Sequence, residues 1–235
     1  MGERTVRICL GDDGNHADAA VEGAMKTFVV LVSGRGSNLQ AILDARLPFK
    51  VAAVLSNVPQ AQALARARAA DVPTVAIDHR SFEQRAAFDR SLAEAIDRFA
   101  PDFIALAGFM RVLGDAFVQR YAGRMVNIHP SLLPAFPGLH THRRALEAGV
   151  RIHGCTVHFV TPTLDMGPII VQAAVPVLPR DDETSLAARV LEQEHRIYPQ
   201  ALAWLATGRV TLQSGRVTFP HDRVAQALIA PALEA

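Results

Sequence analysis

The chain has 235 residues, half of them apolar, a fifth charged and 6% aromatic, with a formal net charge of +1. This is the balance of an ordinary globular protein of one large or two small domains, and it excludes the disordered and fibrous classes. A near-neutral chain has no broad field to draw nucleic acid or anionic lipid, so neither is expected as a partner.

Residues 1–24 mix both charges and lack the apolar stretch of a signal peptide; they are expected to form a disordered extension unimportant for activity. The only cysteines, Cys9 and Cys155, lie far apart without a CxxC, which fits a reducing, cytoplasmic location. No apolar run is long enough to span a bilayer. From Thr27 onward, short β-rich runs alternate with Ala-, Leu- and Arg-rich stretches. Strands are predicted at 28–32, 51–55, 74–77, 103–107 and 125–128, each apolar enough to be buried on both faces of a parallel sheet. Helices are predicted at 38–45, 61–70 and 81–99, the third with Ser81 and Gln84 as a capping box. Together they imply an α/β doubly wound, mostly parallel sheet with right-handed crossovers. The rhythm changes after Gly149. Strands at 155–160 and 169–175 flank a Pro-, Gly- and Asp-containing loop at 161–168, expected to act as a lid. A helix at 183–206 and a hairpin of 210–213 with 216–219 follow.

Three segments carry candidate chemistry. Ser33-Gly34-Arg35-Gly36-Ser37-Asn38 directly follows the first strand and opens a helix. Glycines there permit a tight turn, and free N–H groups at a helix start attract an anion, with Ser37 and Asn38 as further side-chain donors. The loop is neither a Walker A motif nor GxGxxG, so a monophosphate suits it better than a dinucleotide; a plain turn with Ser37 or Asn38 as N-cap stays open. At the end of a buried strand, Asn127 and His129 stand two apart and share a face of an extended segment. An amide beside an imidazole can hold an oxyanion and move a proton, although a single histidine at a strand end is more often structural. Asp165, in the later loop, could hold and orient an imidazolium, or could simply form the turn before Gly167-Pro168. His140, His142, His153 and His158 invite a metal reading, but no HExxH motif occurs and no metal is expected. Arg66 and Arg68 read as a solvated helix face, and Trp204 as core.

Taken in order, the segments SGRGSNLQAI, LAGFMRVL, NIHPSLLPAFPGLHTHRRAL, HGCTVHFV, LDMGPII and QEHRIYP resemble the glycinamide ribonucleotide formyltransferases, folate-dependent enzymes of purine biosynthesis. The resemblance runs from about residue 26 to 208. It implies a Rossmann-like formyltransferase fold with an antiparallel C-terminal portion. A phosphoribosyl-binding half is expected at 25–124 and a folate-binding, catalytic half at 125–235, in one continuous domain. It implies transfer of the formyl group of 10-formyltetrahydrofolate, as co-substrate, to the glycine amine of the ribonucleotide, without a metal. By resemblance Gly36, Ser37 and Asn38 hold the phosphate and Glu194 meets the glycinamide end. Arg85, Met110, Arg111, Val112 and Leu113, together with Asn127, Thr161, Pro162, Thr163, Leu164 and Asp165, contact folate. Asn127, His129 and Asp165 match the catalytic trio. Two positions depart from relatives: Arg35 stands where Asn is frequent, and Leu191 where some carry a polar residue. The partners expected are small molecules only, for a monomer or homodimer. The rival reading is a formyltetrahydrofolate hydrolase, whose relatives carry an extra N-terminal regulatory domain; a tRNA-directed formyltransferase would be expected to carry an additional C-terminal RNA-binding domain.

Overall fold

The computed structural model describes residues 25–219. The extension expected at 1–24 lies outside the described residues. Strand β1 (Lys26–Val32) is followed by α1 (Ser37–Asp44), β2 (Phe49–Ser56), α2 (Gln62–Ala69), β3 (Thr74–Ala76), α3 (Arg85–Asp97), β4 (Phe103–Leu106), α4 (Asp115–Arg120) and β5 (Met125–His129). Next come α5 (Thr141–Glu147), β6 (Ile152–Phe159), β7 (Ile169–Pro176), α6 (Glu183–Ala206) and a hairpin of β8 (Thr211–Gln213) with β9 (Arg216–Thr218).

The strand order in the large sheet is β3-β2-β1-β4-β5-β6-β7. Strands β1 to β5 pair in parallel, while β6 runs antiparallel to both β5 and β7. The order reverses between β1 and β4, the switch point at which open α/β sheets leave a crevice for ligands. Side-chain alternation along β1 explains why its apolar run is continuous. Phe28, Val30 and Val32 face a core shared with α1, α2 and α6, whereas Val29 and Leu31 face one shared with α3 and α4. All five are fully buried, as a strand covered by helices on both faces requires.

The predicted strands and the helix at 183–206 match the observed ones to within a few residues. The capping box predicted at Ser81 and Gln84 is not formed. Asp78 accepts the Arg80 N–H at 3.0 Å and winds His79–Ser81 into a separate 3-10 turn, so α3 begins only at Arg85. Gln84 is then its N-cap, without a side-chain hydrogen bond. Helices α4 and α5 were not predicted; at six and seven residues they are too short to establish a 3.6-residue period. Trp204 is partly buried against the core and meets Phe219 edge-on at 5.3 Å, which docks the chain beyond the hairpin.

A reciprocal capping box starts α6. Ser185 N–H donates to Asp182 Oδ1 at 2.8 Å, and Asp182 N–H donates to Ser185 Oγ at 3.0 Å. Replacing Asp182 by Ala removes this cap and should lower stability while leaving turnover intact. The urea midpoint measured by circular dichroism would show the loss; an unchanged midpoint would refute the cap's contribution.

Candidate active site

The loop after β1 enters α1 through Gly36, whose φ of 76° lies in the left-handed region. Its bare Cα is also required for space, because a Cβ there would lie 2.5 Å from the Ala63 Cβ on α2. Gly36 is therefore the helix N-cap, not Ser37 or Asn38 as the plain-turn alternative had it. The first bond of the helix runs from Gln40 N–H to Gly36 O, so the N–H groups of Ser37, Asn38 and Leu39 have no partner within the helix. These backbone donors fit the anion-binding expectation. The Asn38 side chain does not: its Nδ2 donates to Glu194 Oε2 at 2.7 Å, both groups being buried. Burial raises the Glu194 pKa, and the bond from Asn38 opposes that rise. Two residues 156 apart in sequence thus meet behind the loop. Leu191 is half-buried, one turn before Glu194 on α6.

Arg35 is exposed at the tip of this loop. Arg66 is not the solvated residue predicted. It is half-buried, and its Nε donates to Arg35 O at 2.9 Å while Nη1 donates to Gln40 Oε1 at 3.1 Å, so it buttresses the loop from α2. Arg68 is exposed, as expected.

Around the second segment the structure brings Asn127, His129 and Asp165 together. His129 ends β5 and is buried, with its Nε2 3.1 Å from Phe136 O. Its Nδ1 lies 3.5 Å from Asp165 Oδ2. Both ring nitrogens therefore face oxygen acceptors. Asp165 is itself anchored: its Oδ2 accepts the Gly138 N–H at 2.8 Å, which joins the β6–β7 loop to the loop after β5. Asp165 (φ 53°) and Phe136 (φ 54°) both adopt left-handed backbone, the uncommon conformation that aims the carboxylate and the carbonyl at His129.

One member of the cluster was missed as a site residue. His158 sits directly across the β5–β6 ladder from Asn127, and its Nε2 lies 3.2 Å from Asn127 Nδ2. Burial lowers the His158 pKa, favouring the neutral ring. Its Nδ1–H then donates to Phe159 O at 2.9 Å, leaving Nε2 to accept from Asn127. That fixes which way the Asn127 amide points and leaves its second N–H available. Asp165 Oδ1 approaches the same Nε2 to 3.9 Å. The signal was present in the strand pattern of residues 153–160, but only the register reveals which histidine faces Asn127.

The remaining predicted contacts lie on three other stretches of the chain. Thr161 is half-buried and its Oγ1 donates to Thr163 O at 3.1 Å; Pro162, Thr163 and Leu164 are exposed. Met110 and Val112 are exposed, Leu113 is buried, and the Arg111 guanidinium lies 5.8 Å over the Phe88 ring. Arg85 is exposed at the start of α3, beside Gly114, in a groove of about 490 Å³ that Asp89, Arg90, Phe117 and Arg120 also line. Leu139 and Leu164, which flank the Gly138–Asp165 contact, are exposed along with Met110, Val112 and Met166 and give the region an apolar rim. Among the described residues no group of three or more His, Cys, Asp or Glu side chains is arranged to hold a metal ion. Nor is any described helix long and apolar enough to cross a membrane.

Behind His129, His142 and His153 stack edge-on at 5.3 Å, and Phe136 packs against His153. Burial pushes His153 down to about 4 from its usual 6.5. In the window from pH 6.5 to about 4 the unfolded chain takes up a proton that the folded chain refuses, so stability falls as pH drops through it. In His153→Phe that fall should be visibly shallower in thermal melts taken across the same range; an unaltered slope would rule out His153 as its source.

Residues 26–202 match the family model described as formyl transferase. The phosphoribosylglycinamide formyltransferase of Escherichia coli K12 is 54% identical over 201 residues, covering 84% of this chain and 95% of that protein. Among solved structures, glycinamide ribonucleotide transformylase 1 from Symbiobacterium toebii superposes with a TM-score of 0.81 at 48% identity, covering 84% of this chain and 95% of its own. Phosphoribosylglycinamide formyltransferase from Coxiella burnetii, solved in complex with CHES, gives 0.80 at 48% identity over 83% and 93% of the two chains.

Proposed function

This chain belongs to the formyl transferase family, and from that premise we propose that it is a phosphoribosylglycinamide formyltransferase. It moves the formyl group of 10-formyltetrahydrofolate to the glycine amine of the ribonucleotide in purine biosynthesis. The observation that carries this reading is the meeting of His129 with Phe136 O and with Asp165 from a later loop, beside Asn127 held by His158, in a chain whose relatives bear that name.

The geometry supports a division of labour. The ribonucleotide phosphate lies on the Ser37 and Asn38 N–H groups at Gly36, and its glycinamide end approaches Glu194. The neutral amine attacks the formyl carbon and negative charge gathers on the formyl oxygen. Asn127 Nδ2, with one N–H committed to His158, offers the other to that oxygen. His129 is oriented by the Phe136 carbonyl at Nε2 and by the Asp165 carboxylate 3.5 Å from Nδ1, and the Nδ1–H is shared between that carboxylate and the same formyl oxygen. These donors strengthen as charge develops, which lowers the barrier without tightening the ground state. Collapse expels the folate nitrogen; the amine loses one proton and that nitrogen gains one, relayed through water.

The division at residue 124 belongs to the same proposal, but the halves act as one unit, since Glu194 of the second bonds Asn38 of the first. A small-molecule enzyme of the cytoplasm, working as monomer or homodimer, fits this reading. No observation favours the hydrolase, in which the phosphate loop would have no role.

Turnover followed by folate absorbance should require both substrates, and folate consumption without the ribonucleotide would support the hydrolase instead. Replacing His129 or Asn127 by Ala should slow turnover on the order of 100-fold or more. Near-native rates in His129→Ala would remove the proposed mechanism.

A further inference from the structure

The segment between β4 and α4 carries four side chains assigned above to folate, Met110 to Leu113, yet it belongs to no helix or strand. Met110 and Val112 are exposed, so packing does little to set their place. Two hydrogen bonds to its backbone do. At one end, Met110 N–H donates to Ser33 Oγ at 2.7 Å. At the other, Gly114 N–H donates to Asp89 Oδ2 at 2.9 Å. Each acceptor is held by the fold. Ser33 directly follows β1, gives its own N–H to Gly108 O at 3.1 Å and donates its hydroxyl to Asn57 Oδ1 at 2.5 Å. Asp89 is buried on α3. A Cβ on Gly114 would come within 2.9 Å of Asp89 Oδ2, so the tether and the missing side chain belong together.

We propose that Ser33 and Asp89 are positioning residues that clamp the two ends of segment 110–113 and shape it to receive the formyl donor. Ser33 thereby fastens the donor segment to the root of the phosphate-type loop, across the switch point between β1 and β4. The proposal rests on the assignment of segment 110–113 to folate.

The variants Ser33→Ala, Asp89→Ala and Asp89→Asn test it. Each alanine removes an acceptor that orders one end of an exposed segment, and should raise the KM for 10-formyltetrahydrofolate roughly tenfold. The Kd for 5-formyltetrahydrofolate, measured by calorimetry, should rise in parallel. The ribonucleotide KM should stay within about twofold and kcat within about threefold, because the groups on β5 are untouched. Asp89→Asn keeps an oxygen for Gly114 N–H and should restore the donor KM. An unchanged donor KM, a parallel rise in both KM values, or an Asn variant as poor as the Ala variant would each overturn the clamp. If one alanine variant does not fold, the other decides; if neither folds, the bonds are structural and the proposal fails. Wild-type protein that does not bind 5-formyltetrahydrofolate would instead sink the folate assignment, a result visible before any substitution is made.

Discussion

Along β5 and β6 the strands run in opposite directions, and Asn127 faces His158 while His129 faces Thr156. That register is the constraint on which the rest of the site depends. Adjacent antiparallel residues stand close enough for side chains to bond across the ladder, so the Asn127 amide is oriented by a neutral, buried histidine. A slip of one residue would turn Asn127 and His129 to the opposite face together. The Phe136 carbonyl and the Asp165 carboxylate reach His129 on loops fastened to this pair of strands.

Those loops are held in uncommon conformations. Phe136, His140 and Asp165 all adopt left-handed backbone without being glycine, at a cost on the order of 1 kcal/mol or more each. The bond from Gly138 N–H to Asp165 and the Phe136 carbonyl at His129 Nε2 offset that cost only when both loops are in place. Strain at these positions is coupled to the assembly of the imidazole's surroundings, so the site forms as a unit.

A second long-range pairing steadies the loop after β1. Asn38 and Glu194 remove each other from water, which keeps the buried acid partnered behind the loop. Arg66 holds the loop's outer side through Arg35 O. Side chains from α2 and α6 thus hold this loop still, while the N–H groups that follow Gly36 have no partner within the helix.

Much of this was legible in the sequence. Five apolar β-runs, the Gly-rich turn and the spacing of Asn127 and His129 are local patterns, governed by side-chain period and glycine's backbone freedom, and they led to the α/β sheet and to the two candidate segments. The start of α3 was misread because a competing Asp78 turn is as local as a cap and outbids it; α4 and α5 were invisible because a period needs more than two turns to register. The tertiary structure alone decided the pairings: Asn38 with Glu194, Asn127 with His158, His129 with both Phe136 and Asp165. Each joins residues whose partner depends on strand register or loop trajectory, quantities that no local pattern encodes. By itself the sequence determined which residues could do chemistry; burial and geometry decided which of them are free to do it.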